Sequence, residues 1–301
     1  MASEKPAILF VGHGSRDPQA VAEFKQLERH FREAYPDRNV AYGFLEFASP
    51  IIAEGIDTLI AQGATQITAI PGMLMAAMHA KNDIPSELNH LQAEKNVTIT
   101  YGAELGVSAH MLQAARARIA QAEADLDADY NRAETLLVTV GRGASDPDAN
   151  ANICKITRML EEGMGFGWAT TCFSGVTTPL VPEALERCVG LGFKRIMLFP
   201  YFLFTGRLVK KIDAWADAFQ TQHPEIQVVK APYLNDHPQV LAAFHDKLHE
   251  AEHGHPNMNC QLCQYRTQIV GQEHKVGTPQ ASHHHHVQGV GTDAEHHHHN
   301  Q

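Results

Sequence analysis

The chain has 301 residues, of which 44% are hydrophobic, and its formal net charge is −10 with the histidines neutral. This length allows two domains of ordinary size, each able to bury a core. The acidic balance, with no Lys/Arg-rich arm in the sequence, argues against nucleic acid as a partner. No apolar run approaches the roughly 20 residues needed to cross a bilayer, so no membrane association is expected. The number of cysteines, five, is odd, and three of them are scattered through apolar sequence, which favours reduced thiols in a cytoplasmic protein over a disulfide framework.

Short apolar runs alternate with helical periodicity along the first part of the chain. In the second helical segment, Ser49 is the expected N-cap, Pro50 the first helical residue and Gly63 the stop. Alternating strands and helices predict an α/β fold with a parallel sheet flanked by helices. The predicted strands cover 7–11, 40–47, 65–71 and 96–102, and the predicted helices cover 17–35, 49–63, 84–95 and 108–126.

The sequence contains an internal repeat. The stretch FVGHGSRDPQA at 10–20 matches TVGRGASDPDA at 139–149, an offset of 129 residues. The same offset carries Pro71 onto Pro200 without a gap. We therefore predict two similar lobes, at 1–125 and 132–250, facing each other across a cleft. In open parallel sheets, ligands bind beyond the carboxyl ends of the strands.

The composition changes in the segment 251–301. Of the 20 histidines, 13 lie from His245 onward, and two blocks of four stand within this segment. It has little apolar periodicity, so we predict a largely disordered tail. The split blocks favour a native metal-handling tail over an engineered tag. An inert polar tail is the alternative.

Three polar side chains follow three different predicted strands. His13 comes after the first, Glu46 at the end of the second and His79 after the third. Two imidazoles and a carboxylate that converge there would suit cobalt, iron, nickel or zinc. A neutral imidazole can also accept a proton. The alternative is that GHG is a tight turn whose histidine is merely exposed.

The repeat provides an internal control for this prediction. The second lobe keeps the scaffold residues but lacks all three polar groups. A single site in the first lobe, with the second lobe as the opposing wall, is therefore expected. At the offset of 129, the replacements are Arg142 for His13, Gly175 for Glu46 and Leu208 for His79.

Two motifs carry a family resemblance. ILFVGHGSRDP at 8–18 and MLMAAMHAKNDIP at 73–85 resemble the two signatures of the sirohydrochlorin chelatases, which are class II tetrapyrrole chelatases. The resemblance covers 5–250, and the duplication is similar to the long, two-domain form. MNCQLC at 258–263 and the His-rich tail resemble the long cobalt-inserting members of cobalamin biosynthesis. The resemblance implies ATP-independent insertion of Co²⁺ into sirohydrochlorin.

The resemblance also implies roles for individual residues. His13 would ligate the metal and accept a pyrrole proton, His79 would be the second ligand, and Glu46 would assist at the metal or the macrocycle. Positive charge at Lys81 and Arg142 would hold the carboxylates of the macrocycle. The segment expected to form a flexible apolar bed for the tetrapyrrole comprises Leu74, Met75, Ala76, Ala77 and Met78.

Cys260 and Cys263 form a CxxC pair in the tail. The resemblance implies an iron–sulfur cluster there. A four-iron cluster needs further ligands, from a second subunit in a homodimer, from elsewhere in the chain or from non-cysteine groups. A zinc-binding or unligated thiol pair is the other interpretation.

Two other functions stay open at this level. A ferrochelatase that makes sirohaem would have the same fold and site. A metal-storage protein or metallochaperone would depend on the tail instead, although the intact trio of the first lobe argues against it. The Gly-rich stretches lack the GK[ST] of a Walker A motif, so no nucleotide is expected.

Overall fold

The structure, a computed structural model, describes residues 6–254, 263 and 265–278. The chain divides into two compact units, which we call unit 1 and unit 2. Unit 1 contains the chain up to Leu105 together with the chain from Phe244, and unit 2 contains Gly106–Ala243. No helix in the described ranges is long and apolar enough to cross a membrane.

Unit 1 is built on a four-stranded parallel sheet. Its strands are β1 Ala7–Gly12, β2 Val40–Phe44, β3 Gln66–Pro71 and β4 Thr98–Tyr101, and its helices include α1 Pro18–Glu33, α2 Ile52–Ala61 and α3 Ile84–Lys95. The strand order is β2–β1–β3–β4. All six residues of β1 are buried, as expected of a central strand covered on both faces.

Unit 2 repeats this architecture. Its elements are α4 Ala109–Glu123, β5 Thr135–Gly141, α5 Pro147–Met164, β6 Trp168–Phe173, α6 Val181–Cys188, β7 Arg195–Pro200, α7 Arg207–Gln222, β8 Gln227–Lys230 and the start of α8 Pro238–His253. The strand order is β6–β5–β7–β8, and all pairs are parallel. The predicted α/β fold with two similar parallel sheets is confirmed.

The last helix of each repeat belongs to the unit formed around the other sheet. α4 lies wholly within unit 2, where the Arg118 guanidinium donates to the Leu234 carbonyl. α8 passes into unit 1 at Phe244, whose ring packs 4.8 Å from Phe10. The last helices therefore group with residues outside their own copy of the repeats predicted at 1–125 and 132–250, α4 through the hydrogen bond of Arg118 and α8 through the ring of Phe244.

The start of α2 differs from the prediction. Ser49 is not the N-cap and Pro50 is not the first helical residue, because the Pro50 carbonyl accepts a hydrogen bond from the Phe44 N–H at 2.8 Å. This bond keeps Pro50 beside β2. The helix begins at Ile52, and the N–H of the preceding residue, Ile51, donates to the Glu54 carboxylate.

The tail predicted from 251 onward has structure in its described part. α8 continues to His253, and a short 3₁₀ turn covers Glu273–Lys275. The Tyr265 hydroxyl lies 2.7 Å from Sδ of Met78. The two blocks of four histidines lie outside the described residues.

Candidate active site

His13, Glu46 and His79 come together in unit 1, at the carboxyl edge of the sheet. One ligand atom from each lies within 4.8 Å of the others. Nε2 of His13 is 3.3 Å from Oε1 of Glu46, and the His13 and His79 ring centroids are 4.6 Å apart. Across residues 6–254, 263 and 265–278, this is the one group of three or more His, Cys, Asp or Glu side chains close enough to hold a metal ion.

Parallel pairing brings the first two groups together. Gly12 pairs with Phe44 at the ends of β1 and β2, and the Glu46 N–H then donates to the His13 carbonyl at 3.0 Å. Gly14 has a φ of +93°, and a Cβ there would lie 1.6 Å from the Glu46 carbonyl oxygen. Only glycine allows this approach. The glycine therefore serves the scaffold of this turn.

Gly143 makes the same approach in unit 2. Its φ is +84°, and a Cβ there would lie 1.9 Å from the Gly175 carbonyl oxygen. The tight turn is thus common to both units, whereas the residue that it carries is histidine in one and arginine in the other. GHG is therefore a tight turn, but its histidine is not merely exposed, because it also joins a polar cluster.

Nδ1 of each histidine lies within hydrogen-bond distance of an oxygen. Nδ1 of His13 lies 2.9 Å from the carbonyl of Gly14, an acceptor, so Nδ1 carries the proton. Nδ1 of His79 lies 2.7 Å from Oδ2 of Asp83. With both Nδ1 atoms engaged, Nε2 is the atom of each ring that can bind a cation or accept a proton.

His79 is the first residue of a π-helical turn. The turn covers His79–Asp83 and runs directly into α3. The Ile84 N–H donates to the His79 carbonyl five residues earlier. A π-turn is rare and occurs often at functional sites. No role was predicted for Asp83, although it stands four residues after His79, a spacing at which two side chains share a face once the backbone is helical.

The charges at the site are unevenly buried. Glu46 is 3% exposed, whereas the two histidine side chains are about a quarter to a third exposed. Burial of a carboxylate is costly unless it has partners, and a divalent cation is a strong one. The trio thus offers a partly open face of imidazole nitrogens backed by a buried negative charge.

Only part of the segment expected to line the macrocycle is accessible at the surface. Leu74, Met75, Ala77 and Met78 are half-buried and precede the π-turn. Ala76 is fully buried, so it packs in the core and is not a lining residue. Tyr265 from the described part of the tail meets this segment at Met78.

Lys81 is 2% exposed, which contradicts its predicted role as an open charge for substrate carboxylates. Lys81 lies inside the π-turn, whose last four residues are all buried. We therefore do not include Lys81 among the substrate contacts. Arg142, in contrast, is exposed, and its guanidinium donates to the Gly143 carbonyl at 3.1 Å.

The described residues do not provide an iron–sulfur site. Cys263 is buried, but it is not part of any group of three or more metal-ligating side chains there. Burial raises the pKa of the Cys188 thiol to about 11 and also raises that of Cys172, so both are core residues. Cys260 lies outside the described residues. The cluster and the homodimer through it stay predictions.

Known sequences match both copies of the repeat. A family model described as CbiX matches 7–122 and again 136–251, one match for each repeat. A sirohydrochlorin cobaltochelatase from Priestia megaterium is 38% identical over 88% of this chain and 86% of its own length. A sirohydrochlorin ferrochelatase from Bacillus subtilis is 31% identical over 82% of this chain and 92% of its own length.

The fold is also similar to that of solved structures. SirB from Bacillus subtilis with Fe³⁺ superimposes with a TM-score of 0.72 at 28% identity, covering 83% of this chain and 96% of that one. SirB from B. subtilis subspecies spizizenii in complex with cobalt gives a TM-score of 0.68 at 27% identity, with the same coverage. Both family matches coincide with a copy of the repeat and together span well over half of the sequence, so the chain belongs to the CbiX family.

Proposed function

We propose that the chain is a sirohydrochlorin chelatase that inserts Co²⁺ without ATP. The observation that supports this most is the cluster of His13, Glu46 and His79 in unit 1, together with its absence at the repeat-related positions of unit 2. A storage site would gain from two copies. An insertion site needs only one, with the duplicate free to take another role.

The reaction exchanges two pyrrole protons for one divalent cation. The cation must lose part of its water shell before the ring nitrogens can bind it. Nε2 of His79 and Nε2 of His13 would take up the partly dehydrated ion, and Glu46 would offset its charge. As the ion passes to the ring, Nε2 of His13 would be released by the ion and accept one pyrrole proton, which suits a group whose ordinary pKa is near neutrality, and the other proton would leave to solvent water at the partly exposed face.

The macrocycle would lie against the half-buried apolar segment before the π-turn. Leu74, Met75, Ala77 and Met78 provide an adaptable apolar surface for a flat ring. The carboxylate arms of sirohydrochlorin would need local cations, because the protein is acidic overall. Arg142 is exposed and permanently charged, so it is the contact that we assign to one of these arms.

Cobalt is the proposed metal because the cobaltochelatase relative is 38% identical, against 31% for the B. subtilis ferrochelatase. The ligand set is compatible with both metals. Iron insertion for sirohaem is therefore the second candidate function, and it differs from the first only in the ion delivered.

Anaerobic insertion assays with Co²⁺, Fe²⁺ and Ni²⁺ test the proposal. The visible spectrum of sirohydrochlorin should change fastest with Co²⁺, and His13→Ala should lower the enzyme-dependent rate at least about 100-fold. Faster insertion of Fe²⁺ would support the ferrochelatase. Tight metal binding without any spectral change of the macrocycle would contradict both and favour a storage protein.

A further inference from the structure

We propose that Asp83 is a positioning residue for His79. Its carboxylate holds the imidazole in the tautomer and orientation that present Nε2 to the incoming cation. The inference deepens the proposed function and rests on it for its catalytic consequence. The geometry on which it stands, however, belongs to unit 1 and does not depend on which metal is inserted.

Both oxygens of Asp83 are engaged. Oδ2 lies 2.7 Å from Nδ1 of His79, and Oδ1 accepts from Nδ2 of Asn82, also at 2.7 Å. The amide of Asn82 fixes the carboxylate plane, and the carboxylate in turn fixes the imidazole. Because a carboxylate accepts and does not donate, the proton of the neutral ring sits on Nδ1, and the lone pair lies on Nε2.

The burial of this acid has a cost that the scaffold does not require. Asp83 is 0% exposed, and its repeat-related residue in unit 2 is Ile212, a core side chain that is 1% exposed. The sheets that carry the two positions have the same strand order. An apolar residue thus satisfies the fold, and a buried carboxylate kept there points to a role beyond folding.

The local backbone makes the same distinction. Leu208, which corresponds to His79, lies in the first turn of α7, a regular α-helix from Arg207 to Gln222. In unit 1 the equivalent residues 79–83 form a π-turn instead. Two departures from the duplicate, one in side chain and one in backbone, therefore coincide at the residue that would bind the metal.

Loss of the acceptor would free the ring in two ways. The proton could move to Nε2, which would place a hydrogen where the cation binds. The ring could also rotate about its side-chain torsions. Outer carboxylates that hold ligating histidines typically contribute about 10–100-fold to metal affinity or activity when they are removed.

The test uses Asp83→Ile, which introduces the residue found in unit 2, and Asp83→Asn, which keeps the volume. Long-range ¹H–¹⁵N spectra of the full-length, metal-free protein report the tautomer of His79. We expect the Nδ1–H form in the wild type and a mixture in Asp83→Ile, with an intermediate effect in Asp83→Asn. Insertion at limiting Co²⁺ should slow about 10–100-fold in Asp83→Ile, with little change in KM for sirohydrochlorin.

The matched control is Glu94→Gln. Glu94 also stands four residues after a histidine, His90, at 3.3 Å, but on an exposed helix face. This variant should change neither the His79 signals nor insertion. An unchanged His79 tautomer in both Asp83 variants would overturn the proposal, whatever the insertion rate. If the wild type inserts no metal, the proposed function fails, and the tautomer still decides whether Asp83 positions His79.

Discussion

Nε2 of His13 lies 3.3 Å from Oε1 of Glu46, although 33 residues separate them in the sequence. Parallel pairing of Gly12 with Phe44 creates this proximity, and Gly14 allows the two backbones to touch. Unit 2 repeats the pairing, with Gly141 opposite Phe173. A common backbone thus carries a histidine–glutamate pair in unit 1, whereas the repeat-related residues of unit 2 are Arg142 and Gly175.

We expect His13→Ala and His79→Ala each to lower the insertion rate at least about 100-fold while the protein stays folded. The physical reason is that each change removes one of the two Nε2 atoms available to the cation or the proton. Both side chains are partly exposed, so truncation should cost little packing energy. Steady-state insertion rates and thermal unfolding measure the two effects.

The control for these variants is His90→Ala. His90 is an exposed histidine of unit 1 with a carboxylate partner, as His79 is, but it lies outside the trio. It should keep the wild-type rate. Near-wild-type insertion in both site variants would contradict the assignment of the site.

Arg142→Ala should raise KM for sirohydrochlorin with little change in kcat. Arg142 stays protonated, so it can pair with a carboxylate arm but cannot accept a pyrrole proton. The side chain is exposed, and an exposed pair contributes about 0.2–1 kcal/mol, so KM should rise about fivefold or less. Steady-state kinetics decide this. A collapse of kcat at constant KM would mean that Arg142 takes part in the chemistry.

A chain that ends at Gly254 should stay folded and insert Co²⁺ when the metal is in excess. It retains α8, in which the ring of Phe244 packs on Phe10. A chain that ends at Ala251 should be less stable by roughly 1.5–3 kcal/mol, because it lacks Glu252, the partly buried carboxylate that accepts from the Arg38 guanidinium.

Thermal unfolding of the two truncated chains measures this difference. Arg38→Ala in the longer chain is the matched control, since it removes the same ion pair from the other side. Equal melting temperatures for the two chains would show that the Arg38–Glu252 pair does not stabilise unit 1. An inactive chain ending at Gly254 would show that the tail takes part in catalysis.

The stability of unit 1 should fall as the pH drops below about 6.5, in part through His245. Burial lowers the pKa of His245, whose ring stacks 5.0 Å from Phe31 and whose Nδ1 is 2.8 Å from the Tyr35 hydroxyl. The unfolded chain then takes up the proton before the folded one does. Stability is therefore complete above the unfolded pKa and is lost as the pH falls toward the folded pKa.

His245→Phe keeps an aromatic ring against Phe31 but removes the titrating group. Its free energy of unfolding should depend less on pH below 6.5 than that of the wild type, as measured by urea unfolding across that range. His249→Phe, at an exposed position of the same helix, should leave the wild-type dependence in place. An identical slope in His245→Phe and the wild type would contradict the prediction.

The sequence by itself determined the parallel α/β units and the positions of the site histidines. Apolar runs of strand length and helical periodicity are local patterns, and the repeat showed where the second copy departs from the first. Because parallel strands end at one edge of a sheet, the sequence predicts that His13, Glu46 and His79 lie close together.

Tertiary structure decided what depends on contacts between distant segments. The bond from the Phe44 N–H to the Pro50 carbonyl moved the start of α2 beyond the proline. Ala76 and Lys81 are buried and so lie outside the expected binding surface. The exposure of a side chain depends on the segments that pack over it, which local sequence does not show. The role of Asp83 became visible only in the structure, because the predicted helix began at Ile84, whereas helical backbone already starts at His79 and brings the two side chains together.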